Sequence, residues 1–332
     1  MRIAIDAMGG DHGPAVMVPG ALAGARSTGA SLILVGQTAV IQRALDENGG
    51  FGTVEGSIID APETIEMDDH PAQALRRKPR SSIAISLESL RDGGVDAFVS
   101  AGNSGAVMAA ALLLLGRIGG IERPAIASFL PTTSGKTLVL DLGAVTDPKP
   151  IHLVQFAKMG SAYAERVQGI PRPRVGLLSN GEEPTKGNAL VREAFGLLID
   201  TDGIDFRGNV EGTDITKGTV DVVVTDGFTG NVALKVAEGV ATLVSTYLRQ
   251  ELTASLPRKM AALMLRRAFG SLRQKLDYSE TGGAALLGVN GIVIIAHGRS
   301  DDRAIENAVV VASRAVSERV NDRIRVAMES AI

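Results

Sequence analysis

The sequence predicts an α/β protein in which a mainly parallel sheet is covered by helices on both faces. Short β-branched runs alternate with helix-like stretches almost throughout the chain, and several of the runs break at once into glycine-rich loops. That rhythm is typical of β-loop-α units, whose parallel strands are buried on both faces. With 332 residues and 45% apolar content, the chain is long and apolar enough for one large core.

The first third of the chain has three predicted strands, at Arg2–Ala7, Leu32–Val35 and near Ser57–Asp60. Pro62–Arg80 is polar and punctuated by proline, so we expect an ordered surface loop there. Ser82–Arg91 has a helical pattern and leads into the next strand.

The middle of the chain continues the alternation. Strands are predicted at Ala125–Leu130, Thr137–Asp141 and Val175–Leu178, with helices from His152 and from Ala189. Ligands of such sheets bind beyond the carboxyl ends of the strands, where the glycine-rich loops are expected. Since no linker or low-complexity tract interrupts the pattern, residues 1–332 are interpreted as a single α/β domain.

A basic helical hairpin, at about residues 236–276, breaks this rhythm. From Leu256 to Leu276 the chain has six basic residues and no acidic one, together with an apolar stripe at helical spacing. Such a hairpin suits an anionic lipid surface or an acidic protein, and the alternative is a dimer-interface arm with a solvated basic face. The residues proposed to form this partner or membrane surface are Arg258, Lys259, Arg266 and Arg267.

Two stretches of the chain, the twin turns, have nearly the same sequence. Val95–Val107 reads VDAFVSAGNSGAV and Val220–Val232 reads VDVVVTDGFTGNV. Each has an apolar run, a loop of glycine and hydroxyl residues, and a helix that begins immediately. A helix in that position directs backbone N–H groups and the positive end of its dipole at one point. The pair therefore predicts two walls of a single anion site.

Five glycine loops of this kind follow predicted strands. Any one of them alone can be only a tight turn whose glycine supplies a positive φ angle, and His297 alone can be a packed residue at a strand end. Together, on one edge of a parallel sheet, the loops predict a phosphate site. The candidate residues are Gly9, Gly10, Asp11, Asn103, Ser104, Gly105, Lys186, Asp226, Thr229, Gly230, Asn231 and His297.

Composition and missing motifs exclude several classes of function. The chain has no Cys, and its four His residues lack metal-ligand spacing, so no metal site is predicted. No GxGxxG or GxxxxGK[ST] motif is present, so no nucleotide cofactor is expected, and no GxSxG motif is present that would indicate a serine nucleophile. A net charge of −3 and 3% aromatic residues argue against nucleic acid as a partner. Asp6 comes too early for a signal peptide, which favours the cytoplasm.

The same loops, in this order, resemble those of the bacterial phosphate acyltransferase family of phospholipid synthesis, over essentially the full chain. The matching segments are DAMGGD at 6–11, SAGNSGA at 100–106, ERPAI at 122–126, GEEPTKGN at 181–188, GNVEG at 208–212, TDGFTGN at 225–231, YSETGGAALLGVNG at 278–291 and AHG at 296–298. One position departs from the family pattern: Val145 stands in LDLGAVTD where the family usually has Asn. No role of that Asn is carried over to this chain.

The resemblance implies a three-layer α/β/α fold like those of phosphotransacetylases and isopropylmalate dehydrogenases. It implies a homodimer that is cytoplasmic and peripherally associated with the membrane. The implied reaction converts acyl-(acyl-carrier-protein) and inorganic phosphate to acyl phosphate. A membrane glycerol-phosphate acyltransferase would then use that product for phosphatidic acid.

The residues are compatible with this chemistry. Phosphate is already an anionic nucleophile, and a thiol with a pKa near ~8.5 is a good leaving group, so neither a covalent acyl-enzyme nor a cofactor is required. We expect the first twin turn to bind phosphate, and the second to position and tune it because Asp226 would repel an anion. Lys186 would supply positive charge, Asp226 and Asn231 would orient the nucleophile or the lysine, and His297 would donate a proton to the thiolate.

Three other functions remain open from the residues alone. A phosphotransacetylase acting on small acyl-coenzyme A would use the same loops. A dehydrogenase of the isopropylmalate type would need a metal-binding acidic cluster that the sequence does not reveal. A non-catalytic membrane scaffold would keep the basic hairpin without needing five intact glycine loops.

Overall fold

Strands and helices alternate through the computed structural model, which describes residues 1–266, 269 and 282–329 apart from the side chain of Ala72. The strands are β1 (Arg2–Asp6), β2 (Ser31–Gly36), β3 (Gly56–Asp60), β4 (Ala97–Ser100), β5 (Ala125–Pro131), β6 (Lys136–Leu140), β7 (Arg174–Leu178), β8 (Asp205–Val210), β9 (Val222–Val224), β10 (Ala284–Leu287) and β11 (Ile292–Ile295). The helices are α1 (Pro14–Thr28), α2 (Thr38–Glu47), α3 (Pro71–Arg77), α4 (Ser82–Arg91), α5 (Ser104–Leu114), α6 (Pro150–Gln168), α7 (Ala189–Ile199), α8 (Gly212–Lys217), α9 (Gly227–Thr253), α10 (Leu256–Met264), α11 (Asp302–Ser317) and α12 (Val320–Glu329).

The described strands form one sheet in the order β3-β2-β1-β4-β11-β10-β5-β6-β9-β7-β8. Strands β3, β2, β1, β4 and β11 run parallel to one another, and so do β6, β9, β7 and β8. Between these two sets, the pairs β11–β10, β10–β5 and β5–β6 are antiparallel. Three reversals make the two parallel sets run in opposite directions. The predicted mainly parallel sheet is confirmed, with this antiparallel centre.

The reversal decides where the glycine loops lie. The carboxyl ends of β1, β4 and β11 are at one edge of the sheet, and those of β6, β7 and β9 are at the opposite edge. The prediction that all five loops share one edge is therefore wrong. Strand direction depends on how the halves are joined through β5 and β10, which the local sequence pattern does not record.

Helices cover both faces of the sheet, so the predicted three-layer arrangement is confirmed. The largest apolar cluster joins one face of the sheet to α1, α6 and α11 through residues such as Met17, Phe156 and Ile305. A second cluster joins the other face to α4 and α5 through Leu87 and Val107. Central strands such as β4 and β9 are buried on both sides, as the apolar strand runs predicted, whereas the outermost strands β3 and β8 are partly exposed.

Helix α1 packs very closely on α11 because two glycines face it. A Cβ atom on Gly20 would lie 2.6 Å from the Cβ of Ile305, and one on Gly24 would lie 2.6 Å from the Cβ of Val309. Helix α1 follows the glycine loop after β1 and α11 follows the loop after β11. Their close contact therefore fixes these two loops side by side.

Most element bounds agree with the sequence prediction to within one or two residues, and α4 covers the predicted Ser82–Arg91. The predicted loop Pro62–Arg80 contains the short helix α3. Helix α9 begins at Gly227, before the predicted start of the hairpin near 236, because no helix breaker separates the second twin turn from the stretch that follows. Residues 267, 268 and 270–276 of the predicted hairpin lie outside the described residues.

Helix α9 protrudes from the fold. Of its 27 residues only Gly227 and Gly230 are buried, and both belong to its first turn. Helix α10 follows after Ala254 and Ser255 and has no buried residue. We call α10, with the residues on either side of it from Ser255 to Arg266, the tip.

Candidate active site

The loops that follow β1, β4 and β11 contact one another, and we call them the first loop group. The backbone N–H of Asp11 donates a hydrogen bond to the carbonyl of Gly298 at 2.8 Å. A Cβ atom on Gly9 would lie 2.7 Å from the backbone nitrogen of Gly102, so the first two loops are in close backbone contact. The predicted candidates in this group are Gly9, Gly10, Asp11, Asn103, Ser104, Gly105 and His297.

Asp6 is the buried anchor of this group. Its carboxylate accepts a 2.7 Å hydrogen bond from the Ser100 hydroxyl, and the backbone N–H of Met8 donates to it at 3.3 Å. Burial raises the pKa of the Asp6 carboxyl, while hydrogen bonds from Ser82 and Ser100 lower it. Because it is enclosed, Asp6 shapes the loops and does not face a ligand.

Asn103 holds two segments together with its side chain. Its oxygen caps α5 by accepting from the backbone N–H of Ala106, and its amide nitrogen donates to the carbonyls of Met67 and Asp69, each at 3.0 Å. The amide thus has no donor directed toward a ligand at this turn. The exposed hydroxyl of Ser104 and the first backbone N–H groups of α5 are the donors that face outward.

Gly105 and Gly10 are sites of close packing. A Cβ atom on Gly105 would lie 2.8 Å from Cγ of Pro71, the first residue of α3. Gly10 has a φ of +82°, and a Cβ there would lie 3.1 Å from the carbonyl oxygen of Gly298. Both positions need glycine for the loops to approach, whether or not a ligand is bound.

His297 follows β11, and Lys235 of α9 contacts its imidazole. The Nζ atom of Lys235 lies 3.1 Å from Nε2 of His297, and the backbone N–H of Arg299 lies 3.1 Å from Nδ1. Partial burial lowers the pKa of the imidazole, and the charge of Lys235 lowers it further. Neutral imidazole is therefore the favoured form near pH 7.

The loops that follow β6, β7 and β9 form the second loop group, at the opposite edge. Here Asp141 is the buried anchor: its carboxylate accepts from the backbone N–H groups of Gly143, Ala144 and Val145. Burial raises the pKa of this carboxyl, and those backbone hydrogen bonds lower it. The carbonyl of Val145 in turn accepts from the backbone N–H of Gly227 at 2.8 Å.

Asp226 caps α9, as Asn103 caps α5. Its carboxylate accepts a 2.8 Å hydrogen bond from the backbone N–H of Thr229, whose side chain is exposed. A cavity of about 400 Å³ opens beside this cap. Its lining is Thr146, Asp147, Pro148, Asn188, Ala189, Leu190, Asp226, Phe228 and Thr229.

The remaining predicted residues of the second group differ in what they can do. A Cβ atom on Gly230 would lie 2.0 Å from the backbone oxygen of Asp141, so Gly230 serves close packing. The exposed Asn231 packs on Gly143, at 3.7 Å from the position of a Cβ there. Lys186 is exposed, and its ammonium has no hydrogen bond or ion pair with any residue that the structure describes.

Helix α9 connects the two loop groups. Asp226 caps its start in the second group, and Lys235, nine residues later and about 13 Å along the axis, contacts His297 in the first. The predicted candidates thus divide between two groups that α9 bridges. Lys235 was not predicted, although a lone lysine in the apolar run VALKVA was a signal in the sequence.

The basic candidates lie on the tip. Arg258, Lys259 and Arg266 are all exposed, and Arg258 forms an ion pair of 2.6 Å with Glu251 at the end of α9. Arg267 lies outside the described residues. No helix within the described ranges has the length and apolar character needed to cross a bilayer.

Comparisons with known proteins now identify the family. Residues 1–323 match a family model described as "Fatty acid synthesis protein". A protein called "Phosphate acyltransferase" from Geobacter sulfurreducens is 49% identical over 330 residues, which is 99% of this chain and 95% of that protein. The chain belongs to the phosphate acyltransferase family. It is an acyltransferase enzyme of fatty acid and phospholipid synthesis, as its resemblance to that family predicted.

Solved structures of other enzymes share the fold of this chain. A phosphotransacetylase from Streptococcus pyogenes matches with a TM-score of 0.66 at 18% identity, covering 96% of this chain and 94% of that one. A putative 4-hydroxythreonine-4-phosphate dehydrogenase from Salmonella typhimurium matches with a TM-score of 0.56 at 16% identity, covering 94% and 98%. These likenesses confirm the predicted relationship to phosphotransacetylase-like and dehydrogenase-like folds.

Proposed function

We propose that this acyltransferase transfers a long-chain acyl group from an acyl-(acyl-carrier-protein) thioester directly to inorganic phosphate, which gives acyl phosphate. The observation that carries the proposal is the pairing of β4 with β11. Ser100 lies opposite Ile295 in the register, so the donor-rich start of α5 and the imidazole of His297 lie at the ends of neighbouring strands. A nucleophilic anion and a thioester could meet between them.

The reaction requires mainly that the enzyme hold phosphate beside the thioester carbonyl. A phosphate oxygen attacks the thioester carbonyl carbon, the C–S bond of the tetrahedral adduct breaks, and the thiolate leaves to be protonated by solvent. Backbone N–H groups at the start of α5 and the Ser104 hydroxyl bind phosphate. An N–H of the His297 imidazole donates a hydrogen bond to the departing sulfur. Gly9, Gly10 and Asp11 shape the wall opposite.

The second loop group has a supporting role in this proposal. Lys186 supplies positive charge to an anionic group of the substrate near the start of α9. Asp226 caps that helix and, with Asn231, orients the groups around the cavity. Asp226 would repel an anion in contact with it, which favours the first loop group as the site of the reacting phosphate.

A panel of thioesters tests the proposal. The purified protein would be supplied with phosphate and either long-chain acyl-(acyl-carrier-protein), long-chain acyl-coenzyme A or acetyl-coenzyme A. Acyl phosphate is trapped with hydroxylamine and thiol release is followed in parallel. We expect the carrier-protein thioester to give the highest kcat/KM. A preference for acetyl-coenzyme A would favour the alternative, a phosphotransacetylase acting on small thioesters, and the absence of any product would overturn acyl transfer to phosphate.

We further propose that two copies of the chain associate through α9. An exposed apolar stripe with spacings of three and four residues follows one side of this helix: Phe228, Val232, Val236, Val240, Leu243, Val244 and Tyr247. A second copy presenting the same stripe would bury both in a self-complementary interface. The stripe runs from the first turn of α9 at Phe228 toward the tip, and all of its side chains are exposed.

The tip is proposed to bind the membrane surface. Exposed Leu256, Met260, Leu263 and Met264 lie among Arg258, Lys259 and Arg266, so apolar and basic side chains alternate over two turns. Such a surface suits the boundary between anionic headgroups and acyl chains. A cytoplasmic enzyme held there could pass acyl phosphate to a membrane glycerol-phosphate acyltransferase.

A further inference from the structure

Lys235 occupies an unusual position for a lysine on a protruding helix. Its ammonium is held between Nε2 of His297, at 3.1 Å, and the carboxylate of Glu238 one turn later, at 2.9 Å. The side chain keeps 48% of its surface exposed, so one of its three N–H donors can still reach solvent or a ligand. Lys235 is also the residue by which α9 contacts His297 in the first loop group.

The surroundings of His297 contain more donors than a neutral imidazole can accept. Such a ring has one N–H and one lone pair, yet Nε2 faces the Lys235 ammonium and Nδ1 faces the N–H of Arg299. Only one of these contacts can be a hydrogen bond at a time. An anion placed beside Lys235 would accept the N–H that the single lone pair of His297 cannot accept, so that each donor would have a partner.

We propose that Lys235 binds the reacting phosphate in the first loop group, between His297 and the amino end of α5. This inference rests on the proposed function, because it names the cation of the same site. Glu238 holds the ammonium in place, and the N–H of Lys235 that faces Nε2 of His297 turns to the phosphate oxygen. Lys186 belongs to the loop after β7, at the other edge of the sheet, and serves the second loop group.

The charges around His297 make its titration a direct report on Lys235. The groups that face it are Lys235 and Glu238 of α9, Arg299 of its own loop, and Asp11 of the loop after β1. Removing the Lys235 charge therefore raises the pKa of His297. Phosphate bound beside the ring raises that pKa in the wild-type protein as well, because it adds negative charge.

The first test follows histidine Cε1–H signals by NMR, using the full chain with labelled histidine. The chain has four His residues, and His297→Asn assigns the signal of interest. We expect inorganic phosphate to shift the His297 signal saturably and to raise its pKa, at constant ionic strength set with chloride. In Lys235→Ala the pKa without phosphate should be higher, and the phosphate needed for half of the shift should rise about 10- to 100-fold, as for loss of a hydrogen bond to a charged group.

Matched variants separate a binding role from a structural one. Arg249→Ala removes a positive charge from the exposed side of the same helix, far from His297, and should titrate like the wild type. Lys235→Arg keeps the charge and should recover part of the phosphate affinity. If Lys235→Ala is unstable by circular dichroism, Lys235→Gln, which keeps most of the side chain, replaces it. Equal phosphate affinity in the wild type and in the neutral variant would overturn the proposal.

Kinetics give the second test. With a thioester that the wild type uses, Lys235→Ala should raise the KM for phosphate by about 10- to 100-fold, while the KM for the thioester changes little. An unchanged KM for phosphate would contradict the inference. If the wild type uses no thioester, the proposed function fails, and the NMR titration still decides whether Lys235 binds the anion.

Discussion

The hydroxyl of Ser100 donates a 2.7 Å hydrogen bond to the carboxylate of Asp6, and both side chains are buried at the ends of adjacent strands. The second loop group contains a counterpart. There, Oδ2 of the buried Asp141 lies 2.6 Å from the position that a Cβ on Gly227 would occupy. Each twin turn therefore packs against a buried aspartate at the carboxyl end of a neighbouring strand.

Asp6 makes stability depend on pH in a predictable direction. Burial raises the pKa of its carboxyl above the unfolded value of 3.8, so the folded protein holds this proton more tightly. The contribution of Asp6 to stability is thus complete below pH 3.8 and is lost as the pH rises through the folded pKa. We expect Asp6→Asn to match the wild type near pH 3.5 and to gain stability relative to it toward pH 7.

Urea unfolding of the two proteins at several pH values checks this expectation. Asp141 titrates in both proteins, so its contribution cancels in the difference. Ser100→Ala serves as a second variant: it should lose about 1–3 kcal/mol at neutral pH, because the carboxylate loses a buried donor. A difference between wild type and Asp6→Asn that does not change with pH would contradict the account.

Substitution by alanine should change stability in opposite directions at two glycines of α9. A Cβ on Gly230 would lie 2.0 Å from the backbone oxygen of Asp141, whereas a Cβ on Gly239 would meet nothing within 4 Å. We expect Gly230→Ala to destabilise the fold by about 3 kcal/mol or more, because backbone must move. Gly239→Ala should stabilise the helix by about 0.5–1 kcal/mol. Urea midpoints measure both, and similar midpoints for the two variants would refute this packing.

Lys186 is predicted to contribute to turnover and not to folding. Since its side chain is exposed, Lys186→Ala should leave the melting temperature unchanged while acyl phosphate formation falls by about 100-fold, as for loss of a hydrogen bond to a charged group. Hydroxylamine trapping under saturating substrates measures the rate. Lys217→Ala, which removes another exposed lysine, is the control. Near-normal turnover of the Lys186 variant would remove this residue from the site.

The apolar stripe of α9 is predicted to hold two copies together. Val240→Glu places a charge in the middle of the stripe and should shift the protein toward monomer in sedimentation velocity runs. Arg249→Glu introduces the same residue on the opposite side of the helix, at 100° per residue, and should leave the dimer intact. A wild-type protein that sediments as a monomer would disprove the association itself.

The basic residues of the tip are predicted to drive binding to anionic vesicles. Replacing Arg258, Lys259 and Arg266 together by Glu should weaken co-sedimentation, since each basic residue near such a surface contributes about 1 kcal/mol. Replacing three exposed basic residues outside the tip, Arg26, Arg43 and Lys217, together by Glu changes the net charge by the same amount and is the control. If vesicle binding of the triple variant equals the wild type's and its KM for the carrier-protein thioester is also unchanged, only the interpretation of the tip as a dimer arm is left.

The sequence predicted local features well because they depend on neighbouring residues. Both twin turns are β-loop-α units whose helices begin at a polar cap, Asn103 or Asp226, as the pattern indicated. The prediction of a single sheet edge failed because the direction of β6 relative to β4 is set by three antiparallel pairings between them. No local pattern records the number of reversals.

Side-chain contacts between residues far apart in the sequence could not be predicted either. The amide of Asn103 appears free to bind phosphate when only its loop is read, but its donors go to carbonyls 34 and 36 residues away. Lys235 contacts His297, which is 62 residues away in the sequence, and this contact was not predicted. In both cases the contact depends on tertiary packing, which places residues that the chain separates.

Helix α9 fixes a distance as well as a contact. Its 27 residues continue without a break from the loop groups to the tip, and Thr253 lies 18 residues beyond Lys235, or about 27 Å along the axis. If the tip rests on a bilayer, the reacting carbonyl lies at most about this distance from the lipid surface, and the full distance applies when α9 stands along the bilayer normal. A long-chain product must then cross this distance to reach the membrane. The length of α9 therefore limits the path of the apolar acyl chain from the active site to the bilayer.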